Sequence, residues 1–369
     1  MRVLVAGGGT AGHVFPGIAL AERLSVEPGV EVTFAGTSTG QEARLVPAAG
    51  FAFETVEARP LPRGLSTGTL AAPLVAVRSI AACRTLVERA DVVVGMGGYV
   101  SVPVGLAAVR GGRPLVLHEQ NAVPGLANRA LARFARATCV AFAEAGTRLP
   151  RRTRVVVTGN PVRSRVLEAT RDRERLAAGA YAELGLEPDL RTLVIFGGSQ
   201  GALRLNTAAA QAIPMLLAGR ADLQVLLLTG PLHERSTLDA VGSLERVRAL
   251  GFLERMELAY AVADLVVARA GATTCAEVSV CGIPAVLVPY PHATGRHQEA
   301  NARALERAGG AVVVPDAELT PERLAALVLE LLADPARLSA MAQGMRSWAR
   351  PDAAEAVARE VLAAVGRAA

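Results

Sequence analysis

The sequence predicts an α/β protein made of two Rossmann-like, doubly wound parallel-sheet domains. Three observations carry this. The chain has 369 residues, too many for one compact core and suited to two. Short Val- and Leu-rich runs alternate with helix-length segments, the pattern of parallel strands buried on both faces. One supersecondary unit also occurs twice: Val3 to Gly12 reads VLVAGGGTAG and Leu193 to Gly201 reads LVIFGGSQG, each a buried strand, a glycine-rich turn and an Ala/Leu-rich helix.

Taken in order, the first half offers buried strands at Val3–Ala6, Val32–Ala35, Val92–Val94, Leu115–Leu117, Thr138–Ala141 and Val155–Val157. The second half offers Leu193–Phe196, Val225–Leu228, Leu265–Ala268, Ala285–Val288 and Ala311–Val314. The seam is expected at Gly159–Arg163, where Pro161 stops regular structure and an arginine- and acid-rich stretch follows. This divides the chain into an N-terminal domain, 1–163, and a C-terminal domain, 164–345. The tail 346–369 forms one more helix, expected to pack back on the first domain.

Composition removes several function classes. With 51% hydrophobic and 20% charged residues the chain is globular rather than disordered. No apolar run approaches the roughly 20 residues that span a bilayer, and Arg2–Ala6 runs straight into glycines as a first strand, not a signal peptide, so a cytoplasmic protein is expected. There is no lysine, so neither a Walker A phosphate loop nor a pyridoxal Schiff base is available. Cys83, Cys139, Cys275 and Cys281 form no CxxC pair and no zinc-ligand spacing, so reduced, buried thiols and no metal or cofactor are expected. The net charge of +5 suits an anionic ligand or an anionic membrane face. Nucleic acid is not expected as a partner, because aromatics are 4% and no basic run interleaves with them.

Gly7-Gly8-Gly9-Thr10-Ala11-Gly12 matches GxGxxG, and a glycine turn opening a helix presents free N–H groups and a positive dipole end to an anion. A dinucleotide site would also carry an acid at the end of the second strand, but that strand ends Phe34-Ala35-Gly36-Thr37-Ser38. Gly197–Gly201 keeps small residues beside a helix start. The segment Arg269–Glu277 follows the strand Leu265–Ala268 and opens another helix, with hydroxyls and early amides for a diphosphate and Glu277 one turn further in for ribose hydroxyls. Each loop alone could be merely a tight strand–helix turn, and Glu277 alone is better explained as a first-turn acid favouring the helix dipole.

Together the motifs resemble the MurG family. The matches, in order, are Gly8–Pro16 (GGTAGHVFP), Gly95–Ser101 (GMGGYVS), His118–Asn121 (HEQN), Gly159–Arg163 (GNPVR), Gly197–Ala202 (GGSQGA), Arg269–Glu277, and Gln298 with Asn301-Ala302. The resemblance covers nearly the whole chain. It implies the GT-B fold, two Rossmann-like domains facing a cleft. It also implies transfer of N-acetylglucosamine (GlcNAc) from UDP-GlcNAc to an undecaprenyl-diphosphate-linked muramoyl-pentapeptide in peptidoglycan synthesis. Carried across by motif, Thr10, Ala11, Gly12 and Asn121 approach the donor sugar and diphosphate, and Arg163 and Ser199 meet the diphosphate. Leu253 contacts the uracil through its backbone. Ala272, Thr273, Thr274, Cys275, Ala276 and Glu277 hold phosphate and ribose, and Gln298 meets the GlcNAc hydroxyls. The implied partners are the undecaprenyl-linked acceptor, an anionic inner-membrane surface and other cell-wall enzymes.

An α-linked donor and a β-linked product require inversion in one in-line displacement. A base must take the acceptor proton, and positive potential must stabilise the departing UDP. His13 is the first choice of base, since it adjoins the glycine loop and an imidazole titrates near neutral pH; Glu119 is the second. Leu70, Leu74, Val77 and Ile80 fall near helical spacing with Arg78 and Arg84 beside them, the composition of an interfacial helix and equally that of an amphipathic core helix. Three other readings remain open: a UDP-GlcNAc 2-epimerase, a transferase acting on another lipid, and a nucleotide-binding module without turnover.

Overall fold

A computed structural model of the chain describes residues 1–58, 78–198, 201–242 and 244–366. It divides into two compact units: Met1–Arg163 with Arg350–Ala369, and Ser164–Ala349. The first holds a parallel sheet of β1 (Arg2–Gly7), β2 (Glu31–Gly36), β3 (Ala52–Thr55), β4 (Val92–Gly97), β5 (Leu115–Glu119), β6 (Ala137–Val140) and β7 (Val155–Val157), ordered β3-β2-β1-β4-β5-β6-β7. The second holds β8 (Arg191–Phe196), β9 (Leu223–Leu228), β10 (Val247–Leu250), β11 (Ala263–Ala268), β12 (Ala285–Leu287) and β13 (Ala311–Val313), ordered β10-β9-β8-β11-β12-β13.

Both sheets are doubly wound, and both reverse their strand order beside the first strand of the repeated unit. In the first sheet β1 lies between β2 and β4; in the second β8 lies between β9 and β11. Ligands of such sheets bind outside the carboxyl ends of the strands at this reversal. The reversal points are flanked by Gly7–Gly12 and Gly97–Ser101 in one unit, and by Gly197, Gly198, Gly201 and Ala202 with Arg269–Thr274 in the other.

All eleven apolar runs of the sequence fall on strands, three of them (ending at Ala141, Val288 and Val314) running one residue past the strand. Among the described residues the two strands they miss, β3 and β10, are both edge strands. Their sequences, AFET and VRAL, mix apolar with polar residues because much of each strand faces water. The strongly buried strands are the continuous ones: Val5, Val93, Val94, Val194 and Val267 are wholly inaccessible.

The C-terminal helix Ala353–Ala364 belongs to the first unit and buries Val357, Ala358 and Val361 in the core with Val5, Ile18 and Val94. Burial of a Val side chain contributes about 1.5–3 kcal/mol. The ion pairs Arg23–Glu355 and Arg154–Glu360 at its edges are half-exposed and contribute at most about 1 kcal/mol each. Apolar contact therefore holds this helix. Of the apolar stripe expected at an interface, Leu70, Leu74 and Val77 lie outside the described residues, while Ile80 packs against the core that includes Val87 and Val104. Among the described residues no helix is long and apolar enough to cross a membrane.

Candidate active site

In the first unit the chain leaves β1 through Gly8 and Gly9, the latter at φ 87°, and enters the helix Ala11–Leu24 at Thr10. Thr10 O receives the amides of His13 and Val14, but its hydroxyl does not cap the helix; it lies 3.0 Å from His13 Nδ1. Gly97 and Gly98, at φ 94° and 77°, bring the second glycine loop against the first. A β-carbon on Gly98 would stand 2.5 Å from Gly8 O, and one on Gly97 would stand 3.1 Å from His13 Cδ2 and 3.2 Å from Nε2. Only glycines admit this approach. Ser101 ties the loops together: its Oγ accepts from Gly97 N and lies 2.8 Å from Ala6 O.

Glu119 ends β5 and is buried. Its Oε1 accepts from Asn121 N (3.0 Å) and lies 3.4 Å from Asn121 Nδ2, and its Oε2 accepts from Gly125 N and Asn128 Nδ2, both at 2.9 Å. A carboxylate receiving bonds on both oxygens braces the 120–128 loop, which carries Asn121 and Asn128. Asn128 Nδ2 reaches back to the Gly97 corner, 3.5 Å from where its β-carbon would be. His13, Gly97, Asn128 and Glu119 thus form one continuous cluster. Arg163 lies over the Phe15 ring, 4.4 Å from its centroid, which sets its guanidinium on the helix that carries His13.

His118, the residue before Glu119, is wholly buried. Its Nε2 must carry the proton, because it lies 3.0 Å from the carbonyl of Gly159, which can only accept. Burial pushes its pKa down to about 4, against a smaller upward pull from that hydrogen bond. The folded pKa lies below the ordinary 6.5, so the unfolded chain binds the proton first as pH falls. The group's contribution is present above pH 6.5 and lost towards pH 4. From 6.5 down to 4 this group alone is expected to remove about 3 kcal/mol of stability. Urea midpoints across that interval check this, and the slope should flatten in His118→Asn.

In the second unit β8 runs into Gly197 and Gly198, and Gly201 packs directly on the backbone of Thr229. Ser199 lies outside the described residues. β11 runs through Arg269, Ala270 and Gly271 into the helix Ala272–Val280, whose N-cap Gly271 offers no side chain to its amides. Thr273 Oγ1 is buried without a protein partner. An orphan hydroxyl beside uncapped helix amides is a site for an anion's oxygens. Cys275 and Ala276 of the same motif turn their side chains into the core, and Cys275 N donates to Gly271 O. Burial pushes the Cys275 thiol up to about 12, so it is inert.

Glu277 is 4% exposed, and Tyr260, itself buried in the helix Met256–Val262, donates its O–H to Glu277 Oε2 at 2.8 Å. The loop is pinned from behind as well. Asn301 Nδ2 donates to Ala270 O, and Arg269 Nη1 meets Asp316 Oδ1 at 2.5 Å. Gln298 is the second residue of the helix His297–Arg307, and its Oε1 accepts from Tyr290 N at 2.9 Å. That bond orients the amide so that its –NH₂ is the end left to donate. Leu253 is half-buried, three residues before the Tyr260 helix begins. Tyr260, Asn128 and Asp316 were not among the residues expected from the sequence, and for Asn128 and Asp316 the sequence carries no signal. For Tyr260 a signal existed: a phenol inside an Ala-rich buried helix must find a hydrogen-bond partner.

Two doubly wound domains with glycine-rich turns at both reversal points define the GT-B fold. Residues 3–140 match the glycosyltransferase family 28 N-terminal domain and residues 192–357 its C-terminal domain. The chain belongs to this family, and within it to the MurG group. It is 44% identical to the UDP-N-acetylglucosamine--N-acetylmuramyl-(pentapeptide) pyrophosphoryl-undecaprenol N-acetylglucosamine transferase of Desulfitobacterium hafniense (strain DSM 10664 / DCB-2), over 98% of this chain and 99% of the relative. It is likewise 44% identical to the enzyme of that name from Moorella thermoacetica, over 99% of each. The crystal structure of Acinetobacter baumannii MurG superposes with TM-score 0.76 at 32% identity, covering 98% of this chain and 99% of that one. The UDP-GlcNAc 2-epimerase of Neisseria meningitidis superposes with TM-score 0.69 at 13% identity, over 98% of this chain and all of that one, and shares the fold alone.

Proposed function

We propose that this chain is an inverting hexosyltransferase that moves GlcNAc from UDP-GlcNAc to undecaprenyl-diphosphate-linked muramoyl-pentapeptide, completing the lipid precursor of peptidoglycan. The observation that carries this reading is the near-complete match to the family, with its motifs falling at both reversal points of the two sheets. The residue assignments are those the family resemblance implies, and the chemistry of the 272–277 segment supports them. The amides of Ala272, Thr273 and Thr274, with the Thr273 hydroxyl, take the diphosphate, joined by Arg163 and Ser199. Glu277 takes the ribose hydroxyls, the Leu253 backbone takes the uracil, and the Gln298 –NH₂ donates to a GlcNAc hydroxyl. Thr10, Ala11, Gly12 and Asn121 are assigned by motif to the donor sugar and diphosphate.

The acceptor hydroxyl attacks C1 of GlcNAc on the face opposite the nucleotide, and the bond from C1 to the diphosphate oxygen breaks. Charge develops on the departing diphosphate, where a helix N-terminus and arginine stabilise it. His13 takes the acceptor proton at Nε2. That requires the tautomer in which Nδ1–H donates to the Thr10 hydroxyl, and the 3.0 Å contact supports it. Glu119 receives bonds on both oxygens and acts as a brace rather than a base. The reaction takes place at the cytoplasmic face of the membrane, where the protein binds peripherally: the acceptor's polyprenyl chain stays in the bilayer, and the +5 charge favours an anionic surface.

Incubation with labelled UDP-GlcNAc and a short-chain lipid-linked muramoyl acceptor is expected to give the disaccharide product only when the acceptor is present. Turnover of UDP-GlcNAc without acceptor would overturn the reading in favour of an isomerase.

A further inference from the structure

The helix Glu42–Ala48 begins six residues after β2 ends, and its first residue turns inward. Glu42 is 1% exposed. Its Oε2 accepts from Gly9 N at 2.9 Å; its Oε1 accepts from Thr37 N at 3.0 Å and from Thr37 Oγ1 at 2.8 Å. Three glycines make room for it: a β-carbon on Gly8, Gly36 or Gly40 would collide with Glu42 side-chain atoms. Burial pushes this carboxyl up, but the amides of Thr37 and Gly9 outweigh that and hold it below its usual range, so the group is charged.

The contacts continue from Glu42 into both glycine loops. The Thr37 hydroxyl has its proton on Glu42, so at 3.2 Å from Tyr99 Oη it accepts the Tyr99 proton. The Tyr99 ring closes over Gly9, where a β-carbon would lie 3.0 Å from Cε1. Tyr99 follows Gly97 and Gly98, which meet His13 and Gly8. One buried charge therefore joins the end of β2, the first loop and the second loop. In a dinucleotide site an acid near this place reaches a ribose and the loop amides face a phosphate. Here the acid turns under the loop and takes the Gly9 amide for itself, so that amide is withheld from an external anion.

We infer that Glu42 is the positioning residue that sets the two glycine loops around His13, so that the first loop acts at Gly9 as a mount for the base and not as a phosphate cradle. This rests on His13 acting on the acceptor. Misplacing a reacting group by about 1 Å costs about 100-fold in rate. Glu42→Gln keeps the shape but replaces one accepting oxygen with an –NH₂, and Thr37→Val removes the link to Tyr99.

With the lipid acceptor, each variant is expected to lose about 10–100-fold in kcat, with KM for UDP-GlcNAc and the dissociation constant of UDP within about twofold of wild type. The double variant should lose little more than the worse single one, because both act through one network. Wild-type product formation, measured alongside, separates the two questions: no disaccharide from wild type sinks the transferase reading, not the role of Glu42. Should Glu42→Gln fail to fold, Thr37→Val decides alone. Unchanged kcat, or an equal loss of kcat and UDP affinity, overturns the inference, since the second outcome means general damage rather than positioning.

Discussion

His13→Ala is expected to lower kcat by about 10²–10⁴-fold while leaving KM for UDP-GlcNAc within about threefold. The asymmetry follows from where the residue acts. A general base is needed only as the acceptor hydroxyl attacks, so its loss falls on the chemical step. The uracil and ribose are assigned to groups in the second unit, Leu253 and Glu277, so nucleotide affinity does not depend on the imidazole. The acid limb of the kcat/KM profile should also vanish, since an unprotonated imidazole is what the step consumes. Thr10→Val tests the tautomer. It removes the oxygen 3.0 Å from Nδ1, so kcat should drop by about tenfold with the imidazole still present. The contrary result is clear: if His13→Ala stays within a few-fold of wild type and Glu119→Gln falls 10³-fold with its loop intact, the base is the carboxylate.

How much of this was legible beforehand depended on the range of each signal. The inner strands were legible because both faces of each are covered, which writes a continuous run of apolar residues; of the edge strands, β7 (VVV) and β13 (AVV) keep a short run, while β3 and β10 mix in polar residues. The glycine loops were legible because close backbone approach excludes a β-carbon locally, as at Gly97 and Gly98. Polar partners were not legible. Glu42 meets Gly9 across 33 positions, Tyr260 meets Glu277 across 17 and Arg269 meets Asp316 across 47. No periodicity records a contact at such separations. Glu42 illustrates the limit well. The end of β2 carries no acid, which argued against a dinucleotide, and that observation gave no hint that the next acid folds back beneath the loop. The motif Ala272–Glu277 likewise names six residues, of which Cys275 and Ala276 face the core.

Glu277→Ala is expected to raise the dissociation constant of UDP by about 100-fold, with a smaller effect on kcat. A hydrogen bond to a charged group contributes about 1.5–3 kcal/mol, and a carboxylate on two ribose hydroxyls makes two. Binding of 2′-deoxy-UDP gives the diagnostic. Wild type should prefer UDP over the 2′-deoxy compound by about tenfold, and Glu277→Ala should prefer neither. Tyr260→Phe separates the carboxylate from its support. The ring keeps its edge contact with Phe196, 6.2 Å between centroids, so packing is preserved while the donor to Oε2 is lost. A carboxylate with one oxygen unanchored reaches the ribose less often, and UDP affinity should fall about three- to tenfold, with the 2′-deoxy preference reduced in proportion. Full UDP affinity in Glu277→Ala, with the preference for UDP intact, would move the ribose to another part of the second unit.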